Sequence, residues 1–230
     1  NQLISQLKKE GIEILDKKSS LTKQQSDYIE MYFTENVYPV LTPMAVDSSR
    51  PFPLIRNKSL NIGAIVHKKG DLDKTIEFAT VQVPAVLDRI VIVPGDDNRK
   101  CIILLEDIIE KFIDRLFLNY DIVSTCQFRI MRNADLTIDE EEAADLLKEI
   151  EKQIKKRQWG EVIRLEINGN CDPALVAILK NELFIKEEDT YYIDGPLDLT
   201  FLMKLSGLPG YDDLRSPSFK PQTNPRFKSA

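Results

Sequence analysis

The alternation of hydrophobic and polar residues is most regular between residues 127 and 167. Polar and apolar residues alternate over 127–130, which predicts a half-buried strand. Residues 139–157 follow with a capping box, an apolar stripe at helical spacing and a basic last turn, which are typical of an amphipathic helix. A second alternation over 163–167 predicts another strand. The sequence therefore predicts a strand–helix–strand unit, which we interpret as a β-α-β building block.

The N-terminal half contains the same two periodicities. Residues 40–54 carry three prolines, so we expect a long connection without regular structure. Residues 102–119 begin apolar and continue as an amphipathic helix. The remaining predicted elements are helices over 1–10 and 21–38 and strands over 12–15, 61–67, 76–83 and 89–93.

The C-terminal part ends in a change of composition. Asp172 and Pro173 predict the start of a helix over 173–184. A short strand over 191–193 and a brief helix over 197–205 complete the regular elements, together with a strand over 122–130. From residue 207 onward prolines recur with few apolar residues between them, as in an extended linker.

These elements predict an α+β fold, in which a mixed β-sheet is flanked by helices. We expect a single domain with a helical N-terminal segment and a Pro-rich C-terminal linker. The predicted boundaries are 1–38 for the helical segment, 39–206 for the core and 207–230 for the linker. The abrupt start and the linker composition at the end suggest a piece of a longer chain.

Composition narrows the class of function. With 31 basic and 37 acidic residues the net charge is −6, which argues against a nucleic-acid-binding protein. No signal peptide or membrane-spanning run is evident, so we expect a cytoplasmic protein. The three cysteines, Cys101, Cys126 and Cys171, lack zinc-ligand spacing, and we expect buried free thiols.

Motifs that would indicate catalysis are incomplete. The only histidine, His67, begins an H-x-K sequence of the kind in which a phosphate-accepting His is followed by a charge-neutralising Lys. The expected Asp and a second copy are missing, so we interpret His67 as a strand-to-turn residue. Residues 207–210 (GLPG) predict a turn rather than a phosphate loop, and the acidic run 139–142 fits a helix first turn better than a metal site.

The basic residues are the one set of side chains for which the sequence suggests a ligand. They lie around the proline-rich loop and on two strands that we expect to be neighbours, and guanidinium groups on one sheet face suit phosphate oxygens or local carboxylates equally well. The full set is Arg50, Arg56, Lys58, Arg129, Arg132 and Arg164. Of these we select Arg56, Lys58, Arg129 and Arg132 as candidates for phosphate contact.

Five ordered stretches resemble one known family. Residues 38–62 (YPVLTPMAVDSSRPFPLIRNKSLNI) are similar to the opening of the middle, or head, domain of bacterial polyphosphate kinases of the type that makes long-chain polyphosphate. The resemblance continues, in the same order, through FRIMRNADL at 128–136, WGEVIRLEI at 159–167, YIDGPLDLTFLMKL at 192–205 and GLPGYDDL at 207–214.

The resemblance implies a role within a larger enzyme. In that family a helical N-terminal domain precedes this one and two phospholipase-D-like domains follow it, and those later domains carry the phosphate-accepting histidine and the residues for magnesium. The intact enzyme would transfer the ATP γ-phosphate reversibly to polyphosphate through a phosphohistidine. It would need ATP and magnesium, form a homo-oligomer and possess a cytoplasmic or inner-membrane-peripheral location. This chain would carry no catalytic, cofactor or metal residue, and would serve subunit pairing and the shape of the polyphosphate channel.

Two other classes of function remain open at this point. A stand-alone regulatory or protein-interaction module would share the absence of a complete active site. A nucleic-acid binder is disfavoured by the acidic balance and by the lack of an aromatic and basic groove pattern. We expect the partners to be further domains of the same polypeptide, with no nucleic acid and no membrane span.

Overall fold

The structure is a computed structural model that describes residues 2–17, 19–46, 52–95, 99–133, 160–219 and 221–222. Its strands are β1 (Ile12–Leu15), β2 (Met44–Val46), β3 (Leu60–Lys68), β4 (Glu77–Gln82), β5 (Ile90–Val93), β6 (Lys100–Leu104), β7 (Tyr120–Arg132), β8 (Val162–Asn168) and β9 (Thr190–Ile193). Its α-helices are α1 (Gln2–Lys9), α2 (Lys23–Tyr32), α3 (Leu105–Lys111), α4 (Pro173–Leu183) and α5 (Phe201–Ser206).

Two mixed sheets organise residues 1–198, which form one compact unit. The larger sheet has the order β2-β4-β3-β7-β8-β9 and is antiparallel except for the parallel β8–β9 pair. The smaller sheet has the order β1-β6-β5, with β1 parallel and β5 antiparallel to β6. Helices accompany both sheets, so the predicted α+β class with a mixed sheet is confirmed.

Each face of the larger sheet has its own apolar core. Ile62 and Ala64 of β3 belong to a cluster with Ile108 and Ile109 of α3 and with the buried Phe33. The opposite face belongs to a second cluster, in which α4 covers β7 and β8; its fully buried members include Phe128, Ile130, Leu165, Ile167, Leu175 and Leu179. The sheet is therefore an internal layer between helices.

Close approach of β3 to the second cluster favours glycine at position 63. A Cβ at Gly63 would lie 3.2 Å from Phe78 Cε2 and 3.3 Å from Phe128 Cε1. Both distances are tighter than ordinary van der Waals contact, so the two aromatic rings occupy the space that a larger residue would need. The pattern NIGAIV, which predicts a buried strand, thus also sets how near the rings pack.

Three predicted elements need correction. The helix predicted over 21–38 is α-helical only to Tyr32 and continues as a π-helical turn over Phe33–Val37 and a 3₁₀ turn over Tyr38–Val40. The connection 40–54 contains β2, which pairs with β4. The apolar start of 102–119 belongs to strand β6, and the helix that follows ends at Lys111. In each case tertiary pairing or packing decided the local structure.

The unit predicted over 127–167 is only partly visible. Both of its strands are present, as β7 and β8, and Phe128 pairs with Ile167 in an antiparallel register. The predicted helix over 139–157 lies outside the described residues. Because β7 and β8 are antiparallel neighbours, the interpretation as a parallel β-α-β block is wrong.

The expectation of three free thiols is also wrong for two of the cysteines. The Sγ atoms of Cys126 and Cys171 are within disulfide-bonding distance, across a sequence separation of 45. Cys101 is buried in β6 and is not part of this pair. The spacing of the cysteines along the chain does not indicate this pairing, because the pairing depends on the loop before α4 returning to β7.

Residues 199–230 form a second compact unit. It contains α5 and a 3₁₀ turn over Asp212–Leu214. Arg215 contacts both parts of this unit, because it donates from Nη1 to Asp212 Oδ1 at 3.1 Å and from Nη2 to the Leu208 carbonyl at 3.3 Å. The boundaries predicted at 38/39 and 206/207 stay a prediction. Across the described ranges no helix has the length and apolar character needed to cross a bilayer.

Candidate functional site

One face of β7 is apolar and the other is polar, and the polar face is buried. Thr125 and Gln127 point towards α3, where Gln127 Nε2 donates to Asp107 Oδ1 at 3.1 Å and to Glu110 Oε2 at 3.0 Å. Thr125 Oγ1 donates to Glu110 Oε1, which also accepts from Lys17 Nζ. Gln127 and Glu110 are only 5% and 7% exposed. These polar groups lie in the interior because each carboxylate has donors around it.

A cavity of about 310 Å³ opens beside this polar face. Five of its lining residues are acidic, and Lys17 is the single cationic side chain among them. Asn168, Gly195 and the Cys126–Cys171 pair complete the side formed by β7, β8 and the loops after β8 and β9. The cavity therefore combines buried carboxylates with two sulfur atoms.

Asp107 is the carboxyl group that this environment perturbs most clearly. Burial, followed by the neighbouring negative charge of Glu106, raises the pKa of Asp107 from 3.8 to about 7. Gln127 opposes the shift by donating to the carboxylate, and Glu110 and Asp16 reinforce it. Asp107 consequently exchanges a proton near neutral pH.

Alternating charges continue from α3 across the sheet. Arg89 donates from Nε to both carboxylate oxygens of Glu106, at 3.1 and 3.0 Å, and from its Nη atoms to the carbonyls of Leu197 and Asp198. The Asp198 carboxylate lies 3.9 Å from both Arg89 and Arg129. The Glu106 side chain is 1% exposed, so its pairing with Arg89 compensates a fully desolvated charge.

The same chain of charges ends on β8 and β9. Glu166 lies opposite Arg129 in the β7–β8 register and bridges two guanidinium groups, Arg129 Nη1 at 3.5 Å and Arg164 Nε at 2.9 Å. Arg164 Cζ in turn lies 3.9 Å from the ring centroid of Tyr191, a cation–π contact. Arg129 and Arg164 share a sheet face, and local carboxylates occupy that face with them.

The second predicted arginine of β7 holds a turn. Arg132 donates from Nε and Nη2 to the Ile55 carbonyl, at 3.2 and 3.1 Å, and from Nη1 to the Gly160 carbonyl at 2.8 Å. Its backbone N–H donates to Asn57 Oδ1 at 3.0 Å. Burial lowers the pKa of Arg132 from its ordinary value. Most of its donors are therefore committed to backbone carbonyls.

The turn before β3 carries the other two predicted residues. Lys58 has a left-handed backbone with φ of 62°, donates from its N–H to the Ile130 carbonyl at 2.9 Å, and accepts at its own carbonyl from Arg129 Nε at 3.1 Å. The side chains of Arg56 and Lys58 are exposed. The structure thus brings Arg56, Lys58, Arg129 and Arg132 together at one end of β7, two facing outward and two partnered internally.

The remaining sequence candidates are local features. His67 lies near the end of β3 with Nδ1 3.0 Å from the Thr75 carbonyl, which confirms the interpretation as a strand-to-turn residue. Residues 207–210 form a turn in the second unit, also as predicted. Arg50 and the acidic run 139–142 lie outside the described residues.

The residues that are described do not fit a magnesium site. They include no group of three or more His, Cys, Asp or Glu side chains arranged to hold a metal ion. The densest carboxylates, Glu106, Asp107 and Glu110, already accept hydrogen bonds from Arg89, Gln127 and Lys17. A hard cation that demands several oxygen ligands would have to displace these donors.

Comparison with known proteins decides the family. The family model described as "Polyphosphate kinase middle domain" matches residues 24–205. The chain belongs to the polyphosphate kinase middle-domain family. The resemblance noted from five sequence stretches is thereby confirmed.

Individual polyphosphate kinases agree with this assignment. The chain is 45% identical to the Bacillus cereus polyphosphate kinase over 227 residues, covering 96% of this chain and 32% of that protein. It is 46% identical to the Halalkalibacterium halodurans polyphosphate kinase over 223 residues, covering 96% and 31%. The chain thus spans about a third of the length of these relatives.

A solved structure supports the fold. The crystal structure of polyphosphate kinase from Porphyromonas gingivalis superposes with a TM-score of 0.73 at 20% sequence identity, covering 100% of this chain and 32% of that one. At this level of identity the likeness concerns the fold alone.

Sequence reasoning missed the buried polar face of this middle domain. The alternation of Gln127 and Arg129 with Phe128 and Ile130 indicates two chemically different faces, but polar residues in such a pattern normally face solvent. One sequence feature could have indicated the buried polar face. Glu106 and Glu110 are four residues apart in α3 and therefore share one side of that helix.

Proposed function

We propose that this chain serves as the non-catalytic middle domain of an intact polyphosphate kinase that reversibly transfers the ATP γ-phosphate to polyphosphate through a phosphohistidine. ATP and magnesium would bind elsewhere in that enzyme, which we place in the cytoplasm as a homo-oligomer. Family membership and the one-third coverage of its relatives support this proposal. The part of this chain is to associate subunits and to line the path of the polyphosphate.

One observation carries the polyphosphate role: an arginine-braced turn presents two outward cations. Arg129 and Arg132 bind the carbonyls of Lys58 and Ile55, so the turn before β3 is fixed to the end of β7. Arg56 and Lys58 then project from a fixed backbone into solvent. Cations on a preorganised turn suit a polyanion, because little ordering is required when phosphate arrives.

The strength of these contacts fits a polymer that must move. Exposed ion pairs contribute about 0.2–1 kcal/mol each. Two such contacts would guide polyphosphate without trapping it, whereas a buried cluster of arginines would hold one segment tightly. We therefore assign direct contact to Arg56 and Lys58 and a positioning role to Arg129 and Arg132.

A chimera tests this function in a complete enzyme. The aligned region of the Bacillus cereus polyphosphate kinase is replaced by this chain, and polyphosphate length and subunit association are measured by gel electrophoresis and analytical ultracentrifugation. We expect the chimera to assemble as the parent does and to make polyphosphate, while this chain alone makes none. A matched chimera with Arg56→Glu and Lys58→Glu should assemble normally but change the chain-length distribution.

Two results would contradict the proposal. A chimera that assembles like the parent yet makes no polyphosphate would favour a regulatory or protein-interaction module of another kind. A charge-reversed chimera with an unchanged product distribution would remove Arg56 and Lys58 from the polyphosphate path.

A further inference from the structure

Two cysteines that are distant in sequence meet between β7 and the start of α4. Cys126 lies in β7 and is 2% exposed, and Cys171 directly precedes Asp172, the N-cap residue of α4. Their Cα atoms are 5.1 Å apart, inside the range of about 4.4–6.8 Å that a disulfide requires. The backbone therefore places both thiols where they can bond without movement of either element.

The pair is reachable from the cavity. Cys126 and Cys171 both line the cavity of about 310 Å³ described above, and Cys171 is the more exposed of the two. Cys101 differs, because it is 4% exposed within β6 and is not among the residues that line this cavity. A small solute that enters the cavity thus meets two adjacent sulfur atoms.

The charges that line the cavity determine which oxidants can reach the two sulfur atoms. Glu106, Asp107 and Glu110 line the same cavity, together with Asp16 and Asp194, and Lys17 is already paired with Glu110. Net negative surroundings repel anionic oxidants such as oxidised glutathione. A small neutral oxidant such as hydrogen peroxide meets no such barrier.

We propose that Cys126 and Cys171 form a reversible thiol–disulfide site that peroxide oxidises through the acidic cavity, closing a covalent link between β7 and the start of α4. Disulfides of cytosolic proteins are mostly transient and redox-sensing. The cytoplasmic location proposed above makes a reversible link the expected form, and the chemistry itself is independent of polyphosphate.

The reaction balances with one peroxide. The Cys171 thiol ionises, its thiolate attacks one peroxide oxygen and the O–O bond breaks, giving a sulfenic acid. The departing hydroxide takes up the proton that the thiol released and leaves as water. The Cys126 sulfur then attacks the Cys171 sulfur, the S–O bond breaks, and a second water leaves. Two thiols and one hydrogen peroxide thus become one disulfide and two waters, and a dithiol reductant reverses the change.

The test uses the full chain and needs no polyphosphate. The reduced protein is treated with hydrogen peroxide or with oxidised glutathione, its remaining thiols are alkylated, and disulfide-linked peptides are identified by mass spectrometry. We expect a peroxide-dependent intramolecular Cys126–Cys171 peptide that dithiothreitol removes, with a much slower reaction for glutathione. Cys171→Ser should abolish it and Cys101→Ser should leave it unchanged.

Thermal unfolding supplies a second readout on the wild-type chain, which keeps the test independent of any variant that folds poorly. Closing the loop should raise the Tm by roughly 5–15 °C relative to the reduced protein. The proposal is overturned if peroxide yields no Cys126–Cys171 peptide, or if oxidised glutathione reacts as fast as peroxide. A peptide that links Cys101 instead would overturn it as well.

Discussion

The side chains on the two faces of β7 are both buried, but different interactions stabilise them. Phe128 and Ile130 are fully buried under α4 by apolar packing alone. Gln127 and Arg129, the residues beside them, are nearly as well buried on the other face but depend on Asp107, Glu110 and Glu166 for partners.

The two faces therefore differ in how their contribution to stability depends on pH. Apolar packing is indifferent to pH, and it loses free energy mainly when volume is removed. A buried polar face contributes less net stability, yet each of its charges changes with pH or with the loss of a partner. We expect the apolar face of β7 to fix the fold and the polar face to make stability depend on pH.

The apolar face should give the largest effect. Phe128→Ala removes a fully buried ring that touches the space over Gly63, and it should lower the free energy of unfolding by about 3–5 kcal/mol in urea titrations. Val123→Ala on the same strand is the control, because Val123 is 52% exposed and should change stability by less than about 0.5 kcal/mol. Equal losses for the two variants would contradict the assignment of the faces.

The polar face should make stability depend on pH. Since the pKa of Asp107 is about 7 in the fold and 3.8 as a reference, the folded state holds a proton that the unfolded state has released between these values. The stability that this proton provides is present at low pH and is lost as pH rises towards 7, at roughly 1.4 kcal/mol per pH unit as an upper bound.

Asp107→Asn isolates this contribution. The amide resembles the protonated carboxyl and keeps an oxygen for Gln127, so the variant should gain stability over the wild type by roughly 2–3 kcal/mol between pH 5 and pH 7. Denaturant titrations at each pH measure the difference. The exposed Asp114→Asn serves as control and should track the wild type, and a constant difference between Asp107→Asn and wild type would show that Asp107 does not titrate there.

The arginine pair should give the smallest effect. A double-mutant cycle with Arg129→Met and Glu166→Gln should return a coupling of about 0.5–1.5 kcal/mol, because the 3.5 Å contact is partly shared with Arg164. Arg164→Met with Glu166→Gln provides the matched cycle at 2.9 Å. Zero coupling in both cycles would mean that the alternating charges are independent of one another.

The elements that the sequence predicted well are those with a strong local signal. Strand alternation located β7 and β8, and Asp172 with Pro173 located the start of α4, where the Asp172 side chain accepts from Ala174 N at 2.8 Å. These features depend on neighbours within a few residues, so periodicity and capping rules suffice.

The features that escaped prediction depend on distant residues. The short strand β2 exists because Ala45 pairs with Ala79, and no local pattern among three prolines indicates it. The Cys126–Cys171 contact spans 45 residues. The sequence singles out the basic residues as candidates, but only tertiary contacts distinguish the internally partnered Arg132 from the exposed Arg56.

Binding of defined-length polyphosphate to this chain across a salt titration tests the central claim most directly. We expect weak binding that falls with salt, because the release of counterions drives it. Arg56→Gln with Lys58→Gln should lower the affinity roughly 2- to 30-fold and reduce the slope of log K against log salt by about 1–2. Wild-type binding that is absent, or that keeps its affinity and slope in the double variant, would contradict the account and leave the turn before β3 without a role in handling polyphosphate.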